Sequence, residues 1–141
     1  MSTATKKQKT PRLADGSFSI SYTSKKIENV FPIGTAYQRL SEKILSKKYT
    51  LSLVLTDPKT IQKLNVQYRR KDYVPNVLSF PLSKTEGEIY ICPDVAKNEA
   101  AEYGHSVADH IRYLYIHGCL HLKGLPHGKE MGQLEKKYLS V

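Results

Sequence analysis

The sequence HGCLHLKGLPH, residues 117–127, contains three of the chain's five histidines. Residues four apart lie on one face of an α-helix, so His117 and His121 can bind a single ion together. Gly124 predicts the end of that helix, because glycine readily adopts the backbone conformation that closes one, and the turn after it can bring His127 back to the same point. Three neutral imidazoles with an open fourth position are typical of a catalytic zinc site, whereas structural zinc sites are closed by four protein ligands.

The spacing of these histidines is that of the metzincin peptidases, H-x-x-x-H-x-x-G-x-x-H. Those enzymes carry a glutamate directly after the first histidine as the general base for peptide hydrolysis, and this chain has Gly118 there. The pattern therefore indicates a zinc hydrolase and argues against a peptidase. A zinc deaminase is also disfavoured, because the H-x-E and P-C-x-x-C signatures of that class are absent from the sequence.

The residues around the three histidines carry further expectations. Gly118 inside a helix costs roughly 1 kcal/mol relative to alanine, so a substrate or a neighbouring element is expected to approach closely there. Cys119 is about 200° around the helix from each neighbouring histidine, and it is expected to pack in the core. His105 and His110 fall outside the pattern, and we expect them to be ordinary surface or core residues.

The overall composition points to a negatively charged partner. There are 22 Lys and Arg residues against 13 Asp and Glu, which gives a formal net charge of +9, and such an excess is typical of proteins that bind polyanions. The two cysteines form no disulfide framework and suit a reducing cytoplasm. Neither a signal peptide nor an apolar run near the roughly 20 residues of a membrane span is visible. We therefore expect a cytoplasmic protein without a membrane partner.

The chain divides into a short arm and one domain. Residues 1–17 begin with a Lys- and Thr-rich stretch that has no apolar run, and they are predicted to form a basic, disordered arm. Residues 18–141 are long enough for one domain with a sizeable core. Alternating or apolar runs predict strands at 18–22, 50–56, 76–80 and 87–92, the third ending at Pro81. Helical spacing and capping residues predict helices at 35–48, from 58, at 93–103, at 107–122 and at 128–139. A single α+β domain follows, with helices packed on a sheet whose strand order the pattern leaves open.

A second charged cluster, Tyr68-Arg69-Arg70-Lys71, lies at the end of a predicted helix. Guanidinium groups match phosphate oxygens with two parallel donors, and an aromatic ring such as Tyr68 can stack on a base. The alternative is a solvated helix end, where basic residues interact with the negative end of the helix dipole. The segment alone leaves both interpretations open.

Taken together, the two segments resemble the YbeY family of metal-dependent endoribonucleases, which mature ribosomal RNA. The resemblance runs from about residue 50 to the end of the chain. The family signature H-G-x-L-H-L-x-G-x-D-H is matched at His117-Gly118, Leu120-His121-Leu122, Gly124 and His127. The family motif N-x-x-Y-R-G-K-D-x-P-T-[DN]-V-L-S-F-P is matched at Asn65, Tyr68-Arg69, Lys71-Asp72 and the run Asn76-Val77-Leu78-Ser79-Phe80-Pro81. Gly87-Glu88-Ile89 resembles a Gly-Asp-hydrophobic strand that follows. Two departures stand out: Pro126 replaces the signature's Asp, and Arg70 replaces the motif's Gly.

The resemblance implies a fold and a site. The fold is α+β around a mixed sheet, with a zincin-like metal-binding helix. One Zn²⁺ per chain is held by His117, His121 and His127, and the functional arginine of the Y-R motif falls on Arg69. The implied mechanism lets the metal activate a water, or hold a phosphoryl oxygen while the ribose 2′-OH attacks, with Arg69 neutralising charge in the transition state. Neither the residues nor the resemblance shows the general base.

The resemblance also implies partners and a role. The substrate is single-stranded RNA, and the role is maturation of small-subunit ribosomal RNA and ribosome quality control in a bacterial cytoplasm. The ribosome is a partner, with a ribosomal protein or an assembly GTPase as a further candidate, and the oligomeric state stays open. The alternative is a non-catalytic, zinc-stabilised RNA-binding factor for ribosome assembly. Pro126 keeps that alternative open, because ligand histidines usually need an outer acceptor that proline does not offer.

Overall fold

The computed structural model describes residues 16–141, which form an α+β domain of one sheet and surrounding helices. The strands are β1 (Phe18–Tyr22), β2 (Thr50–Leu55), β3 (Val77–Ser83) and β4 (Glu86–Ile91). The helices are α1 (Lys25–Val30), α2 (Ala36–Ile44), α3 (Pro58–Arg69), α4 (Pro93–Glu99), α5 (Val107–Lys123) and α6 (Lys129–Leu139), and a 3₁₀ turn (Ala100–Tyr103) continues α4. Within this range no helix has the length and apolarity that crossing a bilayer requires.

The predicted N-terminal arm, residues 1–17, lies outside the described residues except at Gly16 and Ser17. The backbone N–H of Gly16 donates to Thr50 Oγ1 at 3.0 Å, and the carbonyl of Ser17 accepts from the backbone N–H of Leu51 at 2.9 Å. These two residues, which the prediction assigns to the arm, are therefore hydrogen-bonded to β2 of the domain.

The sheet is mixed, as the resemblance implies. Its strand order is β1-β2-β4-β3, with β1, β2 and β4 parallel and β3 antiparallel to β4. The prediction that Pro81 ends the third strand is wrong, because β3 continues to Ser83. β3 is an edge strand with an irregular register between Pro81 and Ser83, and proline's missing N–H is tolerated at edges and bulges.

Helices cover both faces of the sheet. Successive side chains of a strand point to opposite faces, and apolar side chains on each face are buried under a helix. On β4, Ile89 and Ile91 pack into a core shared with α2 and α5, whereas Tyr90 packs on the opposite face with Ile61 of α3 and Phe80 of β3. The larger core, under α5, also takes Leu51, Leu53 and Leu55 of β2, each fully buried. The sheet thus lies between α3 on one side and α2 with α5 on the other.

One helix is shorter than predicted, and another was not predicted. The second helix ends at Ile44 rather than at residue 48, because Ser46 has a φ of 119°, which no helix continues. The short helix α1 was missed, since six residues are too few to show a helical period. It begins at the side chain of Ser24, which accepts from the N–H of Ile27 at 3.2 Å.

Helix α5, which carries two of the three histidines, has clear ends and a close contact in its middle. Its N-terminus is capped by Ser106, whose Oγ accepts from the N–H of Asp109 at 3.1 Å, and Gly124 ends it with a φ of 105°. A Cβ on Gly118 would lie 3.0 Å from Ser79 Oγ and 3.1 Å from Ile89 Cδ1. The close approach expected at Gly118 is therefore that of the sheet. Cys119 is fully buried in the core, as expected.

Candidate metal centre

The structure brings the three predicted ligands together. His117 and His121 lie one turn apart on α5, and their Nε2 atoms are 3.0 Å apart. His127 reaches the same point from the turn between α5 and α6, and the three residues each offer a nitrogen within 4.8 Å of the others. Three imidazole nitrogens at such separations fit a transition-metal ion of the zinc type, and nickel, cobalt or iron would also accept this donor set.

The surroundings of His121 keep its imidazole neutral. Burial, together with charge repulsion from the neighbouring His117 and His127, lowers the pKa of His121 to about 4. Near neutral pH the ring therefore has a free lone pair, which is the form that binds a metal.

A buried glutamate orients the first of these histidines. His117 Nδ1 lies 2.5 Å from Glu135 Oε2, and Glu135 is only 8% exposed. Because a carboxylate accepts, Nδ1 carries the proton and Nε2 is left to face the other ligands. Sequence analysis missed Glu135, although one signal was present: it lies four residues after Met131 on the buried face of α6. Glu135 supplies to His117 the outer acceptor that Pro126 cannot offer.

A cavity of about 420 Å³ opens beside the histidines and brings the two sequence motifs together. Arg69, at the end of α3, lies in its wall with His117 and His121. The other residues that line it are Lys71, Tyr73, Val74, Pro75, Asn76, Val77, Ser79, Val95, Glu99 and His127. The candidate site is thus a basic pocket, with the three histidines on one side and the charged loop after α3 on the other.

Asn65 holds that loop in place. It is fully buried, its Nδ2 donates to the carbonyl of Tyr73 at 3.1 Å, and its own carbonyl accepts from the N–H of Lys71 at 3.2 Å. Tyr73, 51% exposed, is consequently the aromatic residue in the cavity wall. The expected stacking residue, Tyr68, instead packs edge-on against Phe80, with ring centroids 5.5 Å apart.

Comparison with known proteins agrees with this picture. The model of the family described as Endoribonuclease YbeY matches residues 15–140. The chain belongs to the YbeY family. Its relatives named Endoribonuclease YbeY include one from Nautilia profundicola, 46% identical over 91 residues that cover 62% of this chain and 66% of the relative. Another, from Aquifex aeolicus, is 40% identical over 94 residues that cover 62% of each protein.

A YbeY protein from a Sulfurovum strain is 35% identical over 112 residues, which cover 72% of this chain and 75% of the relative. The match to the first two relatives spans about two thirds of their length or slightly less. The solution structure of TM1509 from Thermotoga maritima has the same fold, with a TM-score of 0.60 and 29% identity over 87% of each chain. The family resemblance and the predicted α+β fold are both confirmed.

The structure also shows how this chain departs from the YbeY motif at Arg70. Arg70 closes α3 in the left-handed conformation, with φ 55° and ψ 38°. The motif has glycine at this position, and glycine adopts that conformation at no steric cost. A side chain here is strained by roughly 1–2 kcal/mol, so the exposed arginine is kept at a cost in stability.

Proposed function

We propose that the chain is a zinc-dependent endoribonuclease that cuts single-stranded RNA during maturation of small-subunit ribosomal RNA. The observation that carries the proposal is the cavity in which the three histidines face Arg69 and Lys71. Membership of a family whose members are named endoribonucleases supports it. We further propose a cytoplasmic setting, a part in ribosome quality control, and the ribosome as partner, with a ribosomal protein or an assembly GTPase as a second partner.

The three histidines, the two cations of the cavity and Glu135 each have a role in this proposal. His117, His121 and His127 would hold the zinc, which when bound supplies a Lewis acid for phosphoryl oxygens. The Arg69 guanidinium pairs with the scissile phosphate and neutralises the extra charge of the five-coordinate transition state. Lys71 binds a neighbouring phosphate. Glu135 keeps the His117 ring in the orientation that the site needs.

The preference for single strands follows from Tyr73. A base can stack on an exposed aromatic ring only when it is not already stacked between its neighbours in a duplex. Single strands offer such unstacked bases. A paired strand would have to open before it could reach Tyr73 and the histidines in one cavity.

We expect the zinc-loaded protein to cut a labelled single-stranded RNA at least about tenfold faster than the same sequence in a duplex, because opening a pair and its stack costs a few kcal/mol. Removing zinc with a chelator should stop cleavage, and adding zinc back should restore it. Gel analysis of the products checks both points. A 2′,3′-cyclic phosphate end would indicate attack by the ribose 2′-OH, and its absence attack by water.

A different outcome would favour the second candidate. If the protein binds zinc and RNA but cuts no faster than a preparation stripped of metal, it is better described as a non-catalytic ribosome assembly factor. Pro126 would then be the residue to examine first, since it replaces the Asp of the family signature.

Replacing Arg70 with glycine is expected to change stability and RNA affinity in opposite directions. The free energy of unfolding should rise by about 1 kcal/mol, because the left-handed strain at this residue is relieved. RNA binding should weaken, and the dependence of log affinity on log salt should become shallower by about 0.7, the value for one phosphate contact on a single strand. Urea denaturation and binding titrations at several salt concentrations measure the two effects.

The matched control is Arg70→Lys, which keeps both the charge and the strained backbone. It should leave stability and salt dependence close to those of the wild type. An Arg70→Gly protein that binds RNA as tightly as the wild type at every salt concentration would show that Arg70 makes no phosphate contact.

A further inference from the structure

Glu99 is the one carboxylate among the described residues that line the cavity. It is the last residue of α4, and its side chain is 30% exposed. A negative charge is unfavourable at the C-terminal end of a helix, and it repels the phosphates that a basic cavity would attract. Neither helix stability nor RNA affinity therefore accounts for a glutamate here.

The carboxylate is held by side chains from two other elements. Asn76 Nδ2, just before β3, lies 3.2 Å from Glu99 Oε1 and 3.3 Å from Oε2. His110 Nε2, on α5, lies 3.0 Å from Oε1. His110 is fully buried, and its Nδ1 is 3.1 Å from His105 Nδ1.

The two hydrogen bonds that link His105, His110 and Glu99 are both donated towards Glu99. A carboxylate only accepts, so the proton of a neutral His110 lies on Nε2, and its Nδ1 accepts from the Nδ1–H of His105. His110 is a core residue with both ring nitrogens in hydrogen-bond contact, as expected, and together with the partly exposed His105 it forms a polar chain that leads to Glu99 at the cavity. The network fixes the Glu99 carboxylate as a proton acceptor that faces the cavity.

We propose that Glu99 is the general base of the cleavage reaction, an inference that rests on the proposed nuclease function. The attacking hydroxyl, of water or of the ribose, gives its proton to Glu99 as its oxygen bonds to phosphorus. The bond from phosphorus to the leaving ribose oxygen breaks, and that oxygen takes a proton from water. Glu99 afterwards returns its proton to solvent. Metzincins carry their general base on the residue directly after the first histidine. In this chain that residue is Gly118, which has no side chain and lies against the sheet. Glu99 takes the role of the base from α4.

Glu99→Gln tests the proposal, because it keeps the size and one acceptor oxygen but removes the base. The single-turnover rate on bound RNA should fall at least about 100-fold, the usual contribution of general base catalysis. Zinc content and melting temperature should stay unchanged, and RNA affinity should stay the same or rise. The matched control is Glu102→Gln, an exposed glutamate in the following 3₁₀ turn, which should retain the wild-type rate.

Chemical rescue separates a base from a structural residue. In Glu99→Ala the missing carboxylate leaves space, so added formate should raise the cleavage rate in proportion to its concentration. Formate should not rescue Glu99→Gln, in which the space stays filled. A purely structural role for Glu99 predicts no response to formate in either variant.

His110 acts through Glu99, so it is a positioning residue. His110→Leu removes the donor, and it should lower the single-turnover rate about tenfold without changing RNA affinity. His110→Gln, whose amide can donate to Glu99, should recover most of that loss.

The possible results are distinct. If the wild type cuts RNA and Glu99→Gln cuts within about twofold of it, the assignment of Glu99 is wrong and the proposed function stands. The assignment also fails if the rate of Glu99→Gln falls only with its melting temperature and formate does not rescue Glu99→Ala. If the wild type itself does not cut, the proposed function fails and the role of Glu99 fails with it.

Discussion

Replacing His121 with alanine is expected to remove both bound zinc and RNA cleavage. His121 Nε2 lies 3.0 Å from His117 Nε2, and the remaining pair of histidines cannot hold the ion as three do. Zinc content should fall from about one per chain to near zero, measured on the same preparation as the cleavage rate. Wild-type protein at a zinc concentration 100 times its Kd should gain about 2.7 kcal/mol in the free energy of unfolding, and the variant should gain none.

The fold of the variant should survive without metal, because alanine favours the helix and the ring it replaces is only partly buried. Lys123→Ala is the matched control, an exposed residue near the end of the same helix, and it should keep both zinc and cleavage. If His121→Ala keeps zinc and cleaves at the wild-type rate, neither the three-histidine site nor the mechanism built on it is correct.

Local signals predicted most of the fold. β1 covers the predicted residues 18–22, and α5 begins after the predicted Ser106 cap, because alternation and capping depend on neighbours in sequence. The antiparallel direction of β3 is a local feature, because only residues 84–85 connect it to β4. The strand order depends on pairing between distant segments, for which the sequence carries no local signal. The same reason explains Pro81: only its place on an edge strand makes a proline acceptable there.

The candidate site divides in the same way. The three histidines and Gly124 lie in one short stretch, so spacing alone could place them together. Glu135 meets His117 from α6, and Glu99 reaches the cavity from α4. Their roles appear only when separate elements pack. The support that Glu135 gives to His117 and the proposed base therefore could not be predicted from the motif, whereas the meeting of the three histidines could.

Replacing Arg69 with alanine is expected to slow cleavage of bound RNA about 1,000-fold, the upper end of what loss of one transition-state donor costs. Arg69 supplies the only guanidinium among the described residues that line the cavity. RNA affinity should fall much less, since Lys71 stays in place. Arg69→Lys should recover only part of the rate, because an ammonium group cannot make the planar, two-pronged contact with a phosphate. Single-turnover kinetics and binding titrations separate the two quantities.

Arg39→Ala is the control for loss of an arginine charge, since Arg39 is exposed on α2 and does not line the cavity. It should match the wild type in cleavage rate, with only a small change in RNA affinity. If Arg69→Ala weakens RNA binding but bound RNA is cut at the wild-type rate, Arg69 is a binding residue, and its part in the transition state is wrong. If neither quantity changes, Arg69 is a solvated residue at the negative end of the α3 dipole. The cavity would then lose the cation on which the proposed phosphate chemistry depends.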